Sequence, residues 1–482
     1  MNALVTDLYE LTMAYAYWKN GMAGLDAAFS VNFRENPFRG GFTIACGLAP
    51  AIEFLESLRF DAEALAYLSS LKGNDGGPLF ADGFLAYLGD LTFTCDVDAI
   101  PEGTVVFPHE PLLRVTGPIL QAQIVESAIL NLLNFQSLIA TKAARVVLAA
   151  RGDRVVEFGL RRAHGFDGAL SASRAAFIGG CSATSHVLAG QVFDMPVAGT
   201  LAHSFIMAFD DERAAFEAYA DAMPNNAILL VDTYNTIDGV HRAIEVGRKL
   251  RERGHTLAGI RIDSGDLAYL SIEARRLLDV AGFEDTSITA SNDLDESLIE
   301  SLKEQGARVD VWGVGTRLVT AWDQPALGGV YKLNAIRGRG GEWEPRIKLS
   351  EQFAKTSNPG LLRARRYAVD GEYIGDAIYD ETQPPRNGDV MIIDPIDPIR
   401  RKTLPRSAEQ EELLIPILRQ GRRLQDLPRP AAIRDRVQSQ LARFHPSIKR
   451  FMNAHRYPAG LEENLHHRKT ELIRKIRGDE TR

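Results

Sequence analysis

The stretch LAGIRIDSGD at residues 257–266 decides the fold, because its pattern predicts a short buried strand that ends in polar residues just before a helix. Similar apolar runs flank it: ILLVDT at 228–233, SITASND at 287–293 and VDVWGVGT at 309–316. Asp232, Asp263 and Asn292 therefore end successive predicted strands, about thirty residues apart. That spacing is the period of a repeated strand–helix unit, so this region is predicted to form a parallel sheet.

The polar strand ends also indicate an architecture. Polar side chains that recur at the carboxyl ends of parallel strands are typical of a parallel α/β barrel, whose active site gathers there. A doubly wound open sheet gives a similar pattern and stays open as an alternative. We also expect strands at 154–158, 176–180 and 197–200, with helices at 211–222, 237–253, 266–280 and 295–306.

The chain is predicted to contain three parts. Residues 1–150 are expected to form a smaller α/β domain, with a helix over 4–18 and a long helical stretch over 121–150. Residues 151–400 would form the barrel. Residues 401–482 are predicted to be a basic, mostly helical segment, because apolar residues recur there at helical spacing.

Composition and charge limit the classes of function. The 482 residues are 45% apolar and 24% charged, as in an ordinary soluble globular protein, and a net charge of −8 gives no general reason to expect nucleic-acid binding. The charge is uneven, since residues 401–482 hold 19 Lys and Arg against 10 Asp and Glu and so carry +9. Such a tail could meet anions, nucleic acid or an acidic partner, but a solvated helical face also explains it. We expect it to be structural and not to bind nucleic acid.

The cysteines and the N-terminus predict a cellular location. Cys46, Cys95 and Cys181 lie far apart and in no metal-ligand spacing, which favours a reducing compartment over a disulfide framework. Asp7 and Glu10 stand where a secretory signal would carry positive charge. No run of about eighteen apolar residues predicts a membrane span. We therefore expect a cytoplasmic protein without membrane contact.

Two strand ends carry groups that suit a sugar phosphate. Arg261 and Asp263 are two residues apart, so on a strand both side chains leave the same side. The arginine could pair with phosphate oxygens, and the carboxylate could take hydroxyl groups or Mg²⁺. A structural ion pair is the alternative. Gly313 and Gly315, at a strand-to-helix turn, could hold a phosphate with their amides, although any such turn needs glycine.

Two other stretches add an aromatic ring, arginines and a histidine. In EFGLRRAHG at 157–165, Phe158 is followed by Arg161, and a ring beside guanidinium groups suits a flat heteroaromatic acid or a phosphate. A surface loop would have the same composition. In AGTLAHS at 198–204, His203 follows Thr200 at another strand end. A lone histidine is more often structural, and its place among the Arg, Asp and Gly strand ends favours a functional role.

Together these segments make the chain resemble the nicotinate phosphoribosyltransferase family over about residues 5–400. The matching motifs include TDLYELTMAY at 6–15, EFGLRRAHG at 157–165, AGTLAHS at 198–204, GIRIDSGD at 259–266 and GVGTRLVT at 313–320. The resemblance implies an incomplete parallel α/β barrel with a smaller N-terminal α/β domain. It also implies condensation of nicotinate with 5-phosphoribosyl 1-diphosphate to nicotinate mononucleotide and diphosphate, coupled to ATP hydrolysis in the presence of Mg²⁺.

The resemblance implies roles for single residues as well. His203 matches the family's phosphorylated histidine, and Arg261 and Asp263 are the catalytic residues expected beside it. The implied nicotinate contacts are Tyr9, Phe158, Thr200 and Arg261. The implied phosphoribosyl contacts are Arg161, Asp263, Gly313, Gly315 and Thr316, while the metal ligands stay unassigned. Tyr9 is expected to reach the site of a neighbouring subunit, which implies a homodimer with shared active sites.

Three alternatives compete with this interpretation. The nicotinamide-using relative holds its substrate with an aspartate in the segment that matches 179–190, where this chain has no carboxylate. Because a carboxylate there would repel nicotinate, its absence favours the acid. The quinolinate-using relative lacks the TDLYELTMAY and AGTLAHS segments. A non-catalytic nucleotide sensor on the same fold is opposed by the complete set His203, Arg261, Asp263 and Thr316.

Overall fold

A computed structural model describes residues 2–338, 340–352, 355–385 and 388–478. The chain divides into two compact units. Unit 1 contains residues 1–138, 326–428 and 436–482, and unit 2 contains residues 139–325 and 429–435. These limits differ from the predicted boundaries at residues 150 and 400, because the chain leaves unit 1, forms most of unit 2 and then returns.

The described residues form a mixed α/β protein, as predicted. The helices are α1 Leu8–Lys19, α2 Leu48–Ser57, α3 Ala62–Ser70, α4 Asp82–Gly89, α5 Ile119–Gln123, α6 Glu126–Ala150, α7 Phe166–Ile178, α8 Val187–Phe193, α9 His203–Met207, α10 Glu212–Ala222, α11 Thr236–Glu252, α12 Leu267–Val280, α13 Glu296–Glu304, α14 Thr316–Val319, α15 Pro430–Ala442 and α16 Glu463–Arg477. The strands are β1 Asp26–Asn32, β2 Thr43–Ile44, β3 Asp96–Ala99, β4 Val105–Val106, β5 Leu113–Pro118, β6 Arg154–Glu157, β7 Ala183–Thr184, β8 Ile228–Leu230, β9 Gly259–Ile262, β10 Ser287–Asn292, β11 Val311–Val314, β12 Val330–Arg337, β13 Trp343–Pro345, β14 Leu362–Val369, β15 Glu372–Asp380, β16 Val390–Ile393, β17 Arg401–Leu404, β18 Glu409–Glu412, β19 Ile415–Arg419, β20 Arg422–Arg423 and β21 Ala459–Glu462.

Unit 2 is built around a parallel sheet. Its strand order is β7-β6-β11-β10-β9-β8, and each neighbouring pair is parallel. The first strand, β6, pairs with the last, β11, as a ring requires, whereas a doubly wound sheet leaves its last strand at an edge. Within the described residues the ring is open between β7 and β8. The order is therefore that of an incomplete barrel, and it excludes the doubly wound alternative.

Four helices of unit 2, α10 to α13, begin at side-chain caps. A side-chain oxygen accepts the backbone amide three residues later at each of the caps Asp211, Asn235, Asp266 and Asp295. Such a cap satisfies a free amide of the first helical turn and typically stabilises by about 1 kcal/mol. Gly239 lets α11 lie close to the sheet, because a Cβ there would come within 2.1 Å of the Val231 carbonyl oxygen. These features position the loops that follow the strands.

Two predicted strands of unit 2 are wrong. Residues 176–180 form the end of α7 and the turn after it. Ala172, Ala175 and Ala176 are fully buried there, and a short apolar run cannot distinguish a buried helix from a strand by periodicity. The expected strand at 197–200 reduces to one bridge between Val197 and a residue of β7.

Unit 1 contains two larger sheets and a small one. The first has the order β13-β12-β1-β5-β3-β19-β20, with antiparallel neighbours. The second has the order β17-β16-β21-β15-β14-β18, in which β15 and β21 are parallel and the other neighbours antiparallel. The small sheet pairs β2 with β4. The first sheet therefore joins strands from both ends of the chain.

The segment after residue 401 is only partly helical, so this part of the prediction is wrong. Residues 401–423 hold β17 to β20, and β19 pairs with β3. Helices α15 and α16 come later, as expected. The run EELLIPILRQ at 411–420 is apolar at helical spacing, yet its buried leucines and isoleucine, Leu413, Leu414, Ile417 and Leu418, are covered by sheet packing. Pairing and packing with neighbouring strands therefore decided the structure of this segment, although its apolar residues have helical spacing.

One helical stretch is long and apolar. By length and composition alone, Ile119–Ala150 could cross a membrane, but 61% of its apolar window is buried inside the protein, as in a core helix. In unit 2, Lys142 and Arg145 of this stretch pair with the buried Glu296 at 2.8 and 2.7 Å. Buried charges that are paired in this way belong to a protein interior.

Candidate active site

The carboxyl ends of β8, β9 and β10 bring the central predicted residues together. Arg261 lies on β9 and Asp263 directly follows that strand. Thr289 pairs with Arg261 across β10 and β9, so Ser291, two residues later, comes beside Asp263. Asp232 follows β8. The edge of the sheet at which these residues lie is where α/β barrels place their active sites.

Three side chains hold the Arg261 guanidinium in one orientation. Its NH1 donates to Thr200 Oγ1 at 3.0 Å, its NH2 to Asp263 Oδ1 at 2.8 Å and its Nε to Ser291 Oγ at 2.8 Å. A guanidinium has five N–H groups, so two stay available for a ligand. The side chain is 17% exposed. Arg261 is therefore a preorganised anion-binding group that solvent can still reach.

Asp263 is held as a carboxylate. Burial opposes its charged form, but hydrogen bonds from Ser291 and Arg261 and the charge of Arg261 outweigh burial, so the pKa of Asp263 lies below its ordinary value. Its backbone amide donates to Asp232 Oδ2 at 2.8 Å. Its second oxygen, Oδ2, lies 3.8 Å from His203 Nε2. Asp263 is thus ionised at neutral pH and turned toward the histidine.

His203 begins α9 and belongs to the same cluster. Its Nδ1 lies 3.1 Å from Thr233 Oγ1, and its side chain is 41% exposed. A hydrogen bond at Nδ1 fixes the ring orientation and leaves Nε2 as the atom facing Asp263. The sequence predicted His203 but missed Thr233, because a hydroxyl residue at a strand end carries no distinctive pattern.

The Phe158 ring lies beside the cluster. Its centre is 5.6 Å from the guanidinium carbon of Arg261. A Cβ at Gly313 would come within 2.6 Å of two ring carbons, and one at Gly315 within 3.1 Å of the Phe158 carbonyl oxygen. The glycines of the GVGT turn therefore make room for Phe158, a packing role that the predicted phosphate contact did not include.

A buried carboxylate behind this ring was missed by the sequence analysis. Glu157, the last residue of β6, is fully buried and accepts hydrogen bonds from the Gly159 amide, from Ser173 Oγ at 2.8 Å and from Thr184 Oγ1 at 2.6 Å. These bonds fix the turn that carries Phe158. The available signal was a carboxylate inside the run VVEF at 155–158, whose other residues are apolar.

Asp232 is a second carboxylate that the predicted site did not include. Its Oδ2 accepts hydrogen bonds from the Asp263 amide and from Ser264 Oγ at 2.8 and 2.7 Å. Its Oδ1 is buried and has no hydrogen-bond partner within the described chain. Unpaired buried oxygens are rare and suit a cation or a hydroxyl group of a ligand. Among the described residues no three His, Cys, Asp or Glu side chains form a complete metal site, so a metal here would need ligands from a substrate as well.

Two predicted residues lie at the edges of this arrangement. Thr316 begins the short helix α14, directly after Gly315. Arg161 lies exposed in the turn Leu160–Arg162. Neither contributes to the hydrogen bonds that hold Arg261, so the roles assigned to them stay predictions.

Tyr9 belongs to unit 1, where it lies on α1 and is 46% exposed. Together with Glu126, Lys332 and Lys348 it lines an open cavity of about 580 Å³. Burial, followed by the charges of Glu126 and Glu10, raises the pKa of Tyr9 to about 12. Its hydroxyl therefore stays protonated at neutral pH and can donate a hydrogen bond.

Known proteins match this chain over nearly its whole length. Two family models, described as the nicotinate phosphoribosyltransferase N-terminal domain and C-terminal domain, match residues 4–134 and 363–469. The nicotinate phosphoribosyltransferase of Bacillus subtilis is 40% identical over 484 residues, which cover 98% of this chain and 96% of that protein. One from Mycobacterium tuberculosis is 41% identical over 467 residues, which cover 96% of this chain and 92% of that protein.

A solved structure also matches. The crystal structure of human nicotinic acid phosphoribosyltransferase is 33% identical in sequence and aligns with a TM-score of 0.84. The alignment covers 97% of this chain and 99% of that one. The similarity therefore extends to residues of both units and is not confined to a few motifs.

Proposed function

This chain belongs to the nicotinate phosphoribosyltransferase family, and we propose that it condenses nicotinate with 5-phosphoribosyl 1-diphosphate to nicotinate mononucleotide and diphosphate, in NAD biosynthesis. The observation that carries this proposal is the guanidinium of Arg261, held by Thr200, Asp263 and Ser291 beside the Phe158 ring. A planar aromatic acid requires an aromatic surface and a cation at its carboxylate. The cluster offers both.

Nicotinate would stack on Phe158 with its carboxylate toward Arg261. The two N–H groups of Arg261 that are not used inside the protein would bind the carboxylate oxygens. The pyridine nitrogen is already a nucleophile, so the reaction needs no strong general base. The segment 179–190 has no carboxylate that would repel the substrate, which supports the acid over the amide.

The carboxylates of the cluster suit the ribose. As the anomeric C–O bond breaks, positive charge develops on the ribose and negative charge on the diphosphate. Asp263 and Asp232 would accept hydrogen bonds from the ribose hydroxyls and stabilise the positive charge. Arg161 and the turn at 313–316 would hold the phosphates, as the family resemblance implies.

The same edge of the sheet fits Mg²⁺. Asp232 Oδ1, which has no hydrogen-bond partner among the described residues, and Asp263 Oδ2, which faces His203, are the oxygens that would hold the ion, since Mg²⁺ in such sites uses one or two carboxylates together with substrate phosphates. When bound, Mg²⁺ supplies positive charge for the diphosphate leaving group.

ATP hydrolysis is proposed to be coupled through His203. With Nδ1–H donating to Thr233 Oγ1, the lone pair of Nε2 would attack the γ-phosphorus of ATP; an N–P bond would form as the bond from that phosphorus to the β,γ-bridging oxygen breaks, and ADP would leave with that oxygen. Water would later cleave that bond and release phosphate. A phosphoryl group at Nε2 would add negative charge next to Asp263 and so change the affinities for substrates and products, which couples the two reactions.

The proposal includes a cytoplasmic homodimer with shared active sites. Tyr9 is 46% exposed, so its side chain is open to a contact with a neighbouring subunit. Cys46, Cys95 and Cys181 are buried and form no disulfide among the described residues, as is common in proteins of reducing compartments.

Diphosphate release tests the proposed reaction. The full-length chain is supplied with 5-phosphoribosyl 1-diphosphate and either nicotinate or nicotinamide, with and without ATP. We expect diphosphate release with nicotinate. The catalytic efficiency with nicotinamide should be lower by about a hundredfold or more, because nicotinamide lacks the charge that the site binds, and such a mismatch can lower the efficiency by several factors of ten. Arg261→Ala is the inactive control. No release with nicotinate, or equal efficiency with both substrates, would overturn the proposal.

A further inference from the structure

A second cavity lies in unit 1. Its volume is about 110 Å³, and β16, β17 and β21 contribute to its walls. We call it the tail pocket, and its lining residues are Ile392, Asp394, Arg400, Arg401, Lys402 and the run 456–460. It shares no residue with the Arg261 cluster and has no role in the proposed reaction.

The floor of the tail pocket has a fixed shape. A Cβ at Gly460 would come within 2.8 Å of the Ile393 carbonyl oxygen, so β21 and β16 lie in close contact. Tyr457 turns its hydroxyl to the buried Asp376 carboxylate at 2.9 Å. The Pro458 carbonyl accepts the Asp376 amide at 3.0 Å. The floor of the pocket is therefore fixed by backbone contacts and a buried hydrogen bond.

The carboxylates near the pocket are already paired. Arg456 NH2 lies 2.8 Å from Asp394 Oδ2. Arg400 Nε lies 3.2 Å from Oδ2 of Asp397, three residues earlier in the chain. Asp394 also accepts the backbone amides of Ile396 and Asp397 at 2.9 and 3.1 Å. Its oxygens are thus used within the loop and leave little negative charge for other cations.

Arg401 and Lys402 contact neutral acceptors. Arg401 Nε donates to the Pro398 carbonyl at 3.1 Å, and Lys402 Nζ donates to the Ile374 carbonyl at 2.7 Å. A carbonyl orients a cation but does not neutralise it. Four cations therefore line the pocket: Asp397 and Asp394 pair with Arg400 and Arg456, and the charge of Glu372 also acts on Lys402.

Positive charge also surrounds this region. The pKa of His466, on α16, is lowered first by burial and then by the charges of His467, Lys469 and Arg401. Its buried Nδ1 has no hydrogen-bond partner within the described residues. Around His466 the charges of Lys469 and Arg401 thus outweigh that of Glu463, which acts in the opposite direction.

We propose that the tail pocket binds a small phosphate-bearing anion, held chiefly by Arg401 and Lys402, whose hydrogen-bond partners are carbonyl oxygens. The planar guanidinium fork matches the oxygens of a phosphate, and the small residues of the floor leave room for it. Seven of the ten lining residues belong to the basic C-terminal segment 401–482, whose +9 charge the proposed reaction does not use. This inference does not rest on the proposed function.

Equilibrium dialysis with labelled inorganic diphosphate tests the tail pocket. It counts the diphosphate bound per full-length chain and measures the affinity. Arg401→Glu reverses a charge at the pocket and Arg401→Gln removes it, while Arg406→Glu makes the same reversal at an exposed residue outside the lining. We expect Arg401→Glu to weaken one class of bound diphosphate by about tenfold or more and Arg401→Gln to weaken it less. Arg406→Glu should bind like wild type.

Two readouts separate this inference from the proposed reaction. Nicotinate-dependent diphosphate release is measured on the same variants, and we expect Arg401→Glu to retain it. If Arg401→Glu binds diphosphate as wild type does and has a melting curve like that of wild type, the proposed anion site in the tail pocket would be overturned. If Arg401→Glu does not fold, the same criterion applies to Arg401→Gln. Failure of diphosphate release in wild type would overturn only the proposed reaction.

Discussion

Arg261 and Asp263 form an ion pair in which the guanidinium NH2 lies 2.8 Å from Oδ1 of the carboxylate. Both side chains leave the same side of one strand, as the spacing of two residues requires. Thr200 and Ser291 bind the other guanidinium nitrogens. The pair is therefore part of a fixed anion-binding arrangement, although a purely structural ion pair would show the same distance.

Arg261→Lys distinguishes these two roles. Lysine keeps the charge but loses the planar fork, so it cannot offer the nicotinate carboxylate two N–H groups side by side. Because a hydrogen bond to a charged group contributes about 1.5–3 kcal/mol, we expect kcat/KM for nicotinate to fall roughly tenfold to hundredfold. The melting temperature should change little. Arg275→Lys, which alters the Arg275–Asp279 pair on α12, is the matched control. If the melting temperature of Arg261→Lys falls together with its kcat/KM, the ion pair of Arg261 and Asp263 would be structural.

The sequence predicted the centre of this site because strand geometry is local. The spacing of Arg261 and Asp263 and the repeated polar strand ends required only the alternation of side chains along a strand. Ser291 and Thr233 were missed because their roles depend on the register of neighbouring strands, which a single sequence does not show. Glu157 was missed because a carboxylate inside an apolar run has several explanations until its three donors are placed.

The sequence also failed where distant segments pair. EELLIPILRQ has helical spacing, but β19 takes its partner from β3, more than three hundred residues earlier in the chain. No local pattern reports such a partner. The discontinuous division into two units escaped prediction for the same reason, since it depends on the return of the chain after residue 325.

His203→Ala tests the proposed coupling to ATP. The variant lacks Nε2, the proposed phosphoryl acceptor, so we expect it to lose nicotinate-dependent ATP hydrolysis and to retain some synthesis without ATP. Phosphate release and diphosphate release are measured separately. His241→Ala, an exposed histidine on α11, is the control and should keep the coupling. ATP hydrolysis at the wild-type rate in His203→Ala would rule out the phosphohistidine.

Gly313→Ala tests whether the position of Phe158 matters for nicotinate. The new Cβ would lie 2.6 Å from two carbons of the ring, so the ring must move at a cost of about 1–3 kcal/mol. We expect KM for nicotinate to rise about tenfold while kcat falls less. Gly168→Ala on α7, where a Cβ would meet nothing within 4 Å, should behave like wild type. An unchanged KM would show that Phe158 does not contact nicotinate.

Glu110 is expected to make stability fall as pH rises. It is fully buried, and burial, followed by the neighbouring Asp376, raises its pKa well above the ordinary value. The folded protein then keeps a proton that the unfolded chain releases above its ordinary pKa of about 4.5. Above that pH, stability falls by up to about 1.4 kcal/mol per pH unit until the folded group also ionises.

Glu110→Gln should remove this dependence. The amide is neutral at every pH, can donate toward Asp376 and can accept the Phe107 amide as Oε2 does at 2.9 Å. We expect the free energy of unfolding of the variant to change less between pH 5 and 8 than that of wild type (about pH 5–8 being where stability is usually maximal). Glu63→Gln, an exposed change on α3, is the control. Equal pH slopes for Glu110→Gln and wild type would contradict the raised pKa.

Mixing two inactive variants tests the shared active site. Tyr9 lies on α1 in unit 1 and Arg261 lies in unit 2, so a homodimer could build one site from both chains. Tyr9→Ala supplies an intact Arg261, and Arg261→Ala supplies an intact Tyr9. After random exchange at equal amounts about half of the dimers are mixed, and each has one complete site of two, so about a quarter of the wild-type activity should return. If Tyr9 served its own subunit, every site in the mixture would still lack one residue.

Each variant alone, carried through the same exchange, is the control. With exchange confirmed by mass-labelled subunits, activity no higher than the mean of the two variants would exclude the shared site.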